Sequence, residues 1–157
     1  MFYNPSDYSF LKPLKDHWLY IRNEYELLKH SPTLWHEGIH NGGWYVIGLK
    51  FQGQDLPEKD KAPVTSALCD AIPGVQTYGF SIMKPGCEIH PHHGYTDEVY
   101  RAHLGLYTNP HSGLQVEDYV HIWRNGELFM FDDTKLHSAW NRGGTDRVIL
   151  LIDFLKP

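Results

Sequence analysis

The chain is poor in cysteine, with two residues, Cys69 and Cys87, and no CxxC pair. That excludes a disulfide scaffold or a cysteine-rich zinc module, and two scattered cysteines suit a reduced, intracellular protein. An excess of positive charge is also missing. Lys and Arg number 14 against 19 Asp and Glu, a net charge of −5, so no basic field draws the chain to nucleic acid or to an anionic membrane. Long apolar runs are absent: the longest, residues 148–152, falls far short of a bilayer span. The opening MFYNPSDYSFLKPLKDHW has no basic stretch leading into an apolar one, so no signal peptide is expected. What remains is a cytoplasmic enzyme or binding protein without a transmembrane segment or nucleic-acid partner. Its 157 residues suit one domain over 1–157.

Aromatics and histidines are plentiful. Aromatics make up 14% of the chain and histidines number 11, with HPHHG at 90–94 the densest group. Aromatic-rich sequence punctuated by Gly and Pro suits β-structure around a pocket. Residues 16–29 place Trp18, Ile21, Tyr25 and Leu28 at helical spacing, with Asp16 as N-cap, Pro13 before and Ser31-Pro32 after. Residues 44–51 read as a strand, 52–63 as a polar loop and 64–72 as a short helix ending at Pro73-Gly74. Strand-like runs recur at 77–83, 101–108, 114–117, 119–123, 128–131 and 147–154. Turn residues between them argue for a sandwich, jelly roll or barrel. Asn125-Gly126 predicts a two-residue type I′ hairpin between 119–123 and 128–131.

Two segments carry chemistry. In MKPGCEIHPHHGYTDE (83–98), Pro91 stiffens the approach to His92; in FMFDDTKLHSAWN (129–141), a strand and loop lead to His137. Imidazole ligates Fe, Zn, Cu or Ni, so histidines alone do not choose a metal. Arg101 and His103 alternate along one strand and share a face. Arg101 and Arg147 also have an ordinary alternative, ion pairs with Asp132, Asp133 or Asp153. Ser81 has one as a strand-edge hydroxyl, and Trp44 and Trp140 as core or pocket wall.

Residues 80–106 (FSIMKPGCEIHPHHGYTDEVYRAHLGL) followed by 131–157 (FDDTKLHSAWNRGGTDRVILLIDFLKP) resemble the aspartyl/asparaginyl β-hydroxylase family. The shared features are Ser-Ile-x-x-Pro-Gly, Pro-His-x-Gly, Arg-x-His-Leu-Gly-Leu, Phe-Asp-Asp…His…Trp-Asn and Arg-Val-Ile-Leu, in that order. The resemblance implies a mainly β double-stranded β-helix, or jelly roll, with an N-terminal helix packed on it. It implies a 2-oxoglutarate-dependent non-haem iron dioxygenase using Fe(II), 2-oxoglutarate and O2. His92 and His137 would be the metal ligands. Arg147 and Ser81 would hold the distal carboxylate of 2-oxoglutarate, and Arg101 and His103 the carboxylate beside the metal. Guanidinium forks suit such a dianion.

The common facial triad adds a carboxylate to two histidines, but Gly94 stands where that carboxylate would be. The family shares this departure; iron halogenases share it too and remain a rival chemistry. The implied substrate is small or peptidic, hydroxylated at the β-carbon of an aspartate- or asparagine-like group. Hydroxylation of a lipid acyl chain and a cupin-like metal protein that is not an oxygenase are the alternatives.

Overall fold

A computed structural model describes residues 2–30 and 32–157. In chain order its elements are β1 (Phe2–Tyr3), α1 (Lys12–Asp16), α2 (Trp18–Leu28), β2 (Thr33–Leu34), β3 (Trp44–Phe51), β4 (Gln54–Asp55), α3 (Pro63–Asp70) and β5 (Val75–Met83). Then come β6 (Glu88–His92), β7 (Val99–Tyr107), β8 (Ser112–Val116), β9 (Tyr119–Ile122), β10 (Leu128–Asp132), β11 (His137–Asn141) and β12 (Arg147–Leu155).

The strands form two antiparallel sheets. The larger has 8 strands in the order β1-β10-β7-β12-β5-β3-β2, with β4 on β3; the smaller has 4, in the order β6-β11-β8-β9. The strand period of two divides the larger sheet's side chains between its faces. Along β12, Val148, Leu150, Ile152 and Phe154 join Ile21, Tyr25 and Leu28 of α2 in one core. Ile149 and Leu151 point the other way, towards Leu114, Val116 and Ala139 of the smaller sheet. Both faces of β12 are thus covered, which explains its unbroken apolar run. The architecture is the expected jelly roll with helices on its outer face.

Departures from the sequence expectation have local causes. The helix expected over 16–29 is α2 and starts at Trp18: the chain bends at His17, and Asp16 is not an N-cap but closes α1 with its carboxylate 2.6 Å from Lys12 Nζ. Ser31, expected to bound the helix, lies outside the described residues. Asn125-Gly126 does not form the expected hairpin. Only Gly126 has a positive φ, of 74°, whereas a type I′ turn needs both central residues there. β9 pairs with β8 and β10 with β7, so the turn passes the chain from one sheet to the other. β6 and β11 stand outside the expected strands. β6 contains Pro91, tolerated because β6 is an edge strand.

Asn141 ties the ends of these elements together. Fully buried, it donates from Nδ2 to the Met83 and Thr145 carbonyls at 2.8 and 2.9 Å. Its Oδ1 accepts from Asn109 Nδ2 and from the Gly143 amide, each at 3.1 Å. The hub joins β11 to the end of β5 and to the turn that launches β12. Asn141→Leu keeps the volume and strands those partners, so urea unfolding is expected to show a loss of about 3 kcal/mol or more. A loss under about 0.5 kcal/mol, the scale of an ordinary surface substitution, would show that the hub contributes little.

Candidate active site

His92 and His137 come from β6 and β11 and are register partners across that pair. Their ring centroids are 4.2 Å apart. His92 Nδ1 donates to the His90 carbonyl at 2.7 Å, and His137 Nδ1 to the Lys135 carbonyl at 2.6 Å. A proton on Nδ1 leaves Nε2 as the lone-pair nitrogen, the arrangement in which backbone carbonyls orient metal-ligating imidazoles. Burial, aided by His137, holds the His92 pKa below its ordinary value, which favours the neutral, ligating form.

Asp133 lies on the same side. Its Oδ1 is 3.3 Å from His137 Nε2 and 3.1 Å from Arg101 Nη1, yet it is aligned for a hydrogen bond with neither. Burial alone would raise this carboxyl, but Arg101 and His137 outweigh it and hold the pKa below the usual carboxylate range. A β-carbon on Gly94 would overlap the Asp133 carboxylate. The residue position that lacks a carboxylate is therefore filled by a carboxylate from a different strand end. Among the described residues no group of three or more His, Cys, Asp or Glu is arranged to hold a metal. A buried acceptor without a partner beside two free Nε2 atoms fits a bound cation or its water.

A second group lies deeper between the sheets. Arg147 is buried, and its Nη2 donates to Ser81 Oγ at 2.7 Å. Its guanidinium carbon lies 4.5 Å from the centre of the Trp123 ring, and its Nε has no partner. No carboxylate pairs with it among the described residues, and burial pulls its pKa down to about 9. Ser81 Oγ also accepts from Trp44 Nε1 at 2.9 Å. With both acceptor sites used, its hydroxyl proton is free to donate. His103 Nδ1 accepts from Trp123 Nε1 at 3.2 Å; indole only donates, so the His103 proton sits on Nε2, which has no partner. Burial and the two nearby arginines keep His103 neutral, its pKa well below normal. Three unspent donors on Arg147, Ser81 and His103 thus meet in one cavity, which His92, His137 and Arg101 also line.

All six expected residues therefore line one space. Arg101 differs from the rest because its donors are committed. Nε and Nη2 bind Asp153 at 2.7 and 2.9 Å, and Nη1 faces Asp133. Asp133 and Asp153 enter the site through Arg101, and the sequence signalled them only as possible arginine partners. Trp44 and Trp123 serve as hydrogen-bond donors as well as wall.

A family profile described as Aspartyl/Asparaginyl beta-hydroxylase matches residues 15–157. The ornithine lipid ester-linked acyl 2-hydroxylase of Rhizobium tropici is 40% identical over 118 residues, covering 73% of this chain and 42% of that protein. The human aspartyl/asparaginyl beta-hydroxylase is 30% identical over 162 residues, covering 94% of this chain and 21% of that protein. The chain thus spans less than half the length of either relative. Among solved structures, a protein described as a predicted oxalate decarboxylase from Thermotoga maritima superposes with a TM-score of 0.56 at 13% identity. That match covers 80% of this chain and 93% of the other, a likeness of fold alone.

An unpaired guanidinium between two sheets costs stability, and removing a buried charge in favour of an apolar side chain often recovers about 1–4 kcal/mol. Arg147→Met is therefore expected to raise the unfolding free energy of the ligand-free protein in a urea titration. A clear loss of stability would mean that Arg147 is a structural brace rather than a charge awaiting a partner.

Proposed function

The chain belongs to the aspartyl/asparaginyl beta-hydroxylase family, and from that premise we propose that it is an Fe(II)- and 2-oxoglutarate-dependent dioxygenase hydroxylating an unactivated carbon. The observation that carries this reading is the cavity in which Arg147, Ser81 and His103 present unspent donors beside the histidine pair. It is the donors rather than the roughly 30 Å³ of space in the ligand-free protein that suit a dianion, with one end on the guanidinium and the other towards the metal. Arginine recognises carboxylates by a fixed fork, and a buried charge finds its compensation in the ligand.

In this reading His92 and His137 hold the iron through Nε2. Arg147 and Ser81 bind the distal carboxylate, and His103 donates to the carboxylate nearer the metal. Arg101 acts through Asp133: braced by Asp153, it fixes the Asp133 carboxylate beside His137. When bound, the iron and its cosubstrates supply the oxidation: C–H, 2-oxoglutarate and O2 become C–OH, succinate and CO2. The protein's share is to place the reactants and keep water from the site. The carboxylate of Asp133 in the space beside Gly94 speaks for hydroxylation over halogenation, since a halide would compete there with a fixed negative charge.

The relatives' names describe oxygen insertion at the β-carbon of an aspartyl or asparaginyl residue and at carbon 2 of an ester-linked acyl chain. Both carbons lie next to a carbonyl. We take a C–H adjacent to a carbonyl as the target here, in an aspartate- or asparagine-like group or in an acyl chain.

Two substitutions test the assignment separately. His137→Ala is expected to abolish Mn(II) binding, because one imidazole cannot chelate. Arg147→Ala is expected to keep Mn(II) but weaken 2-oxoglutarate by about 2–5 kcal/mol, roughly thirtyfold to several thousandfold, in calorimetric titrations. Arg147→Lys should recover only part, since a point charge does not reproduce the fork. Normal 2-oxoglutarate binding by Arg147→Ala would refute the placement, and none by the wild type would refute the oxygenase.

A further inference from the structure

A sheet that ends on an exposed strand presents unpaired N–H and C=O groups, which another strand can take up. Proteins guard such edges by shortness, charge, proline or a covering segment. The larger sheet ends on β1 and β2, each of 2 residues. The smaller sheet ends on β6 and β9. β6 carries Pro91 and is covered by the chain at 39–41: the His90 amide donates to the Ile39 carbonyl at 2.7 Å, and the Asn41 amide to the Glu88 carbonyl at 3.2 Å. β9 has none of these guards. Its sequence, Tyr-Val-His-Ile, holds no proline, lysine or acid. Tyr119 and Val120 leave 58% and 55% of their surface exposed.

Which groups of β9 point outward follows from the neighbouring registers. The Glu117 amide donates to the Leu136 carbonyl, on the β11 side of β8. Leu114 and Val116, of the opposite parity, therefore turn their amides and carbonyls towards β9, where their partners are His121 and Tyr119. Val120 and Ile122 are left presenting N–H and C=O groups to the open side, where no strand or backbone hydrogen bond meets them among the described residues. Their side chains share the outer face of the sheet. That face is apolar here, since Ile122 Cδ1 and the Trp140 ring both close over Gly113.

The same strand from a second copy fits this edge in one register. With Val120 opposite Ile122, both outward-facing residues of each copy are hydrogen-bonded and valine meets isoleucine. Asp118 then falls opposite Arg124, and the twofold axis repeats that pair. Asp118 is exposed and in no ion pair among the described residues. The Arg124 side chain is 76% exposed, and its nearest carboxylate, on Glu127, is 3.9 Å away. Sliding the register by two in either direction sets Asp118 against Ile122 or Arg124 against Val120, a charge on an apolar side chain. His121 meets its own copy at the axis, but its ring is turned inward onto Phe129, with centroids 3.9 Å apart.

We propose that this chain associates with a second copy of itself through β9, paired antiparallel about a twofold axis at His121, so that the two smaller sheets run on as one. Such an isologous contact uses one self-complementary patch twice. With 4 strand residues from each copy the contact is small, so the dimer is of the weak, concentration-dependent kind. The proposal does not depend on the reaction that the site performs.

Sedimentation equilibrium at low ionic strength, over a rising series of protein concentrations, should show monomer passing into dimer. Hydrogen exchange followed by NMR over the same series should show the Val120 and Ile122 amides gaining protection with concentration, while those of Tyr119 and His121 are protected throughout. Asp118→Lys and, separately, Arg124→Glu should each weaken the dimer about tenfold, because two symmetry-related pairs turn repulsive. Asp118→Arg combined with Arg124→Asp should restore most of the lost affinity. Val120→Pro removes an outward donor without touching the bonds to β8 and should leave a monomer. If a thermal melt shows that variant unfolded, the charge reversals, at exposed residues, decide. A wild type that stays monomeric throughout overturns the proposal and leaves the edge to a strand of another protein. A dimer indifferent to the reversals, or one that the combined swap does not restore, overturns it as well, since the contact then lies elsewhere or in another register.

Discussion

The buried, unpaired guanidinium of Arg147 organises this molecule. It sits between two sheets, on the indole of Trp123 and one hydroxyl, where a charge is expensive to hold. The surrounding groups are arranged around that charge. Trp44 spends one acceptor site of Ser81 and Arg147 spends the other, so the hydroxyl can only donate outward. Trp123 fixes the tautomer of His103 and so turns its Nε2 into a donor. The unspent donors of Arg147, Ser81 and His103 thus face one cavity, and under the proposed function they are what an anionic cosubstrate would meet.

The histidine pair depends on strand register. His92 and His137 face each other because β6 and β11 pair at those residues. Two carbonyls two residues upstream then set both imidazoles in the ligating tautomer. Arg101 links the halves. It lies between Asp153 of its neighbouring strand β12 and Asp133 at the end of β10, so a shift of β7, β10 or β12 in the larger sheet is felt as a change in the carboxylate beside His137 of the smaller one. Asn141 holds β11 against the end of β5 and the turn into β12. The histidine pair and the Arg147 cavity therefore keep a common frame.

Much of this was legible in the sequence. The strand-like runs at β3, β5, β7 and β12, bounded by turn residues, marked strands, and the ordered motifs carried the six site residues, which meet around one cavity. What escaped notice depended on tertiary partners. β6 hides behind Pro91 and reads as a loop until its edge position is known. Asn125-Gly126 has hairpin chemistry, yet its flanking strands pair elsewhere. Asp16 looks like a cap but is taken by Lys12. Asp133 is four residues from His137 in an ordinary-looking turn, and only the fold places its carboxylate against Gly94.

The central claim is that the cavity between the sheets is a 2-oxoglutarate site completed by metal on the histidine pair. A crystal structure grown anaerobically with Mn(II) and 2-oxoglutarate tests it most directly. The account predicts metal bound by His92 and His137, with one carboxylate of 2-oxoglutarate on Arg147 and Ser81 and the other near His103. Metal bound elsewhere, or 2-oxoglutarate lying outside this cavity with Arg147 still unpaired, would contradict it.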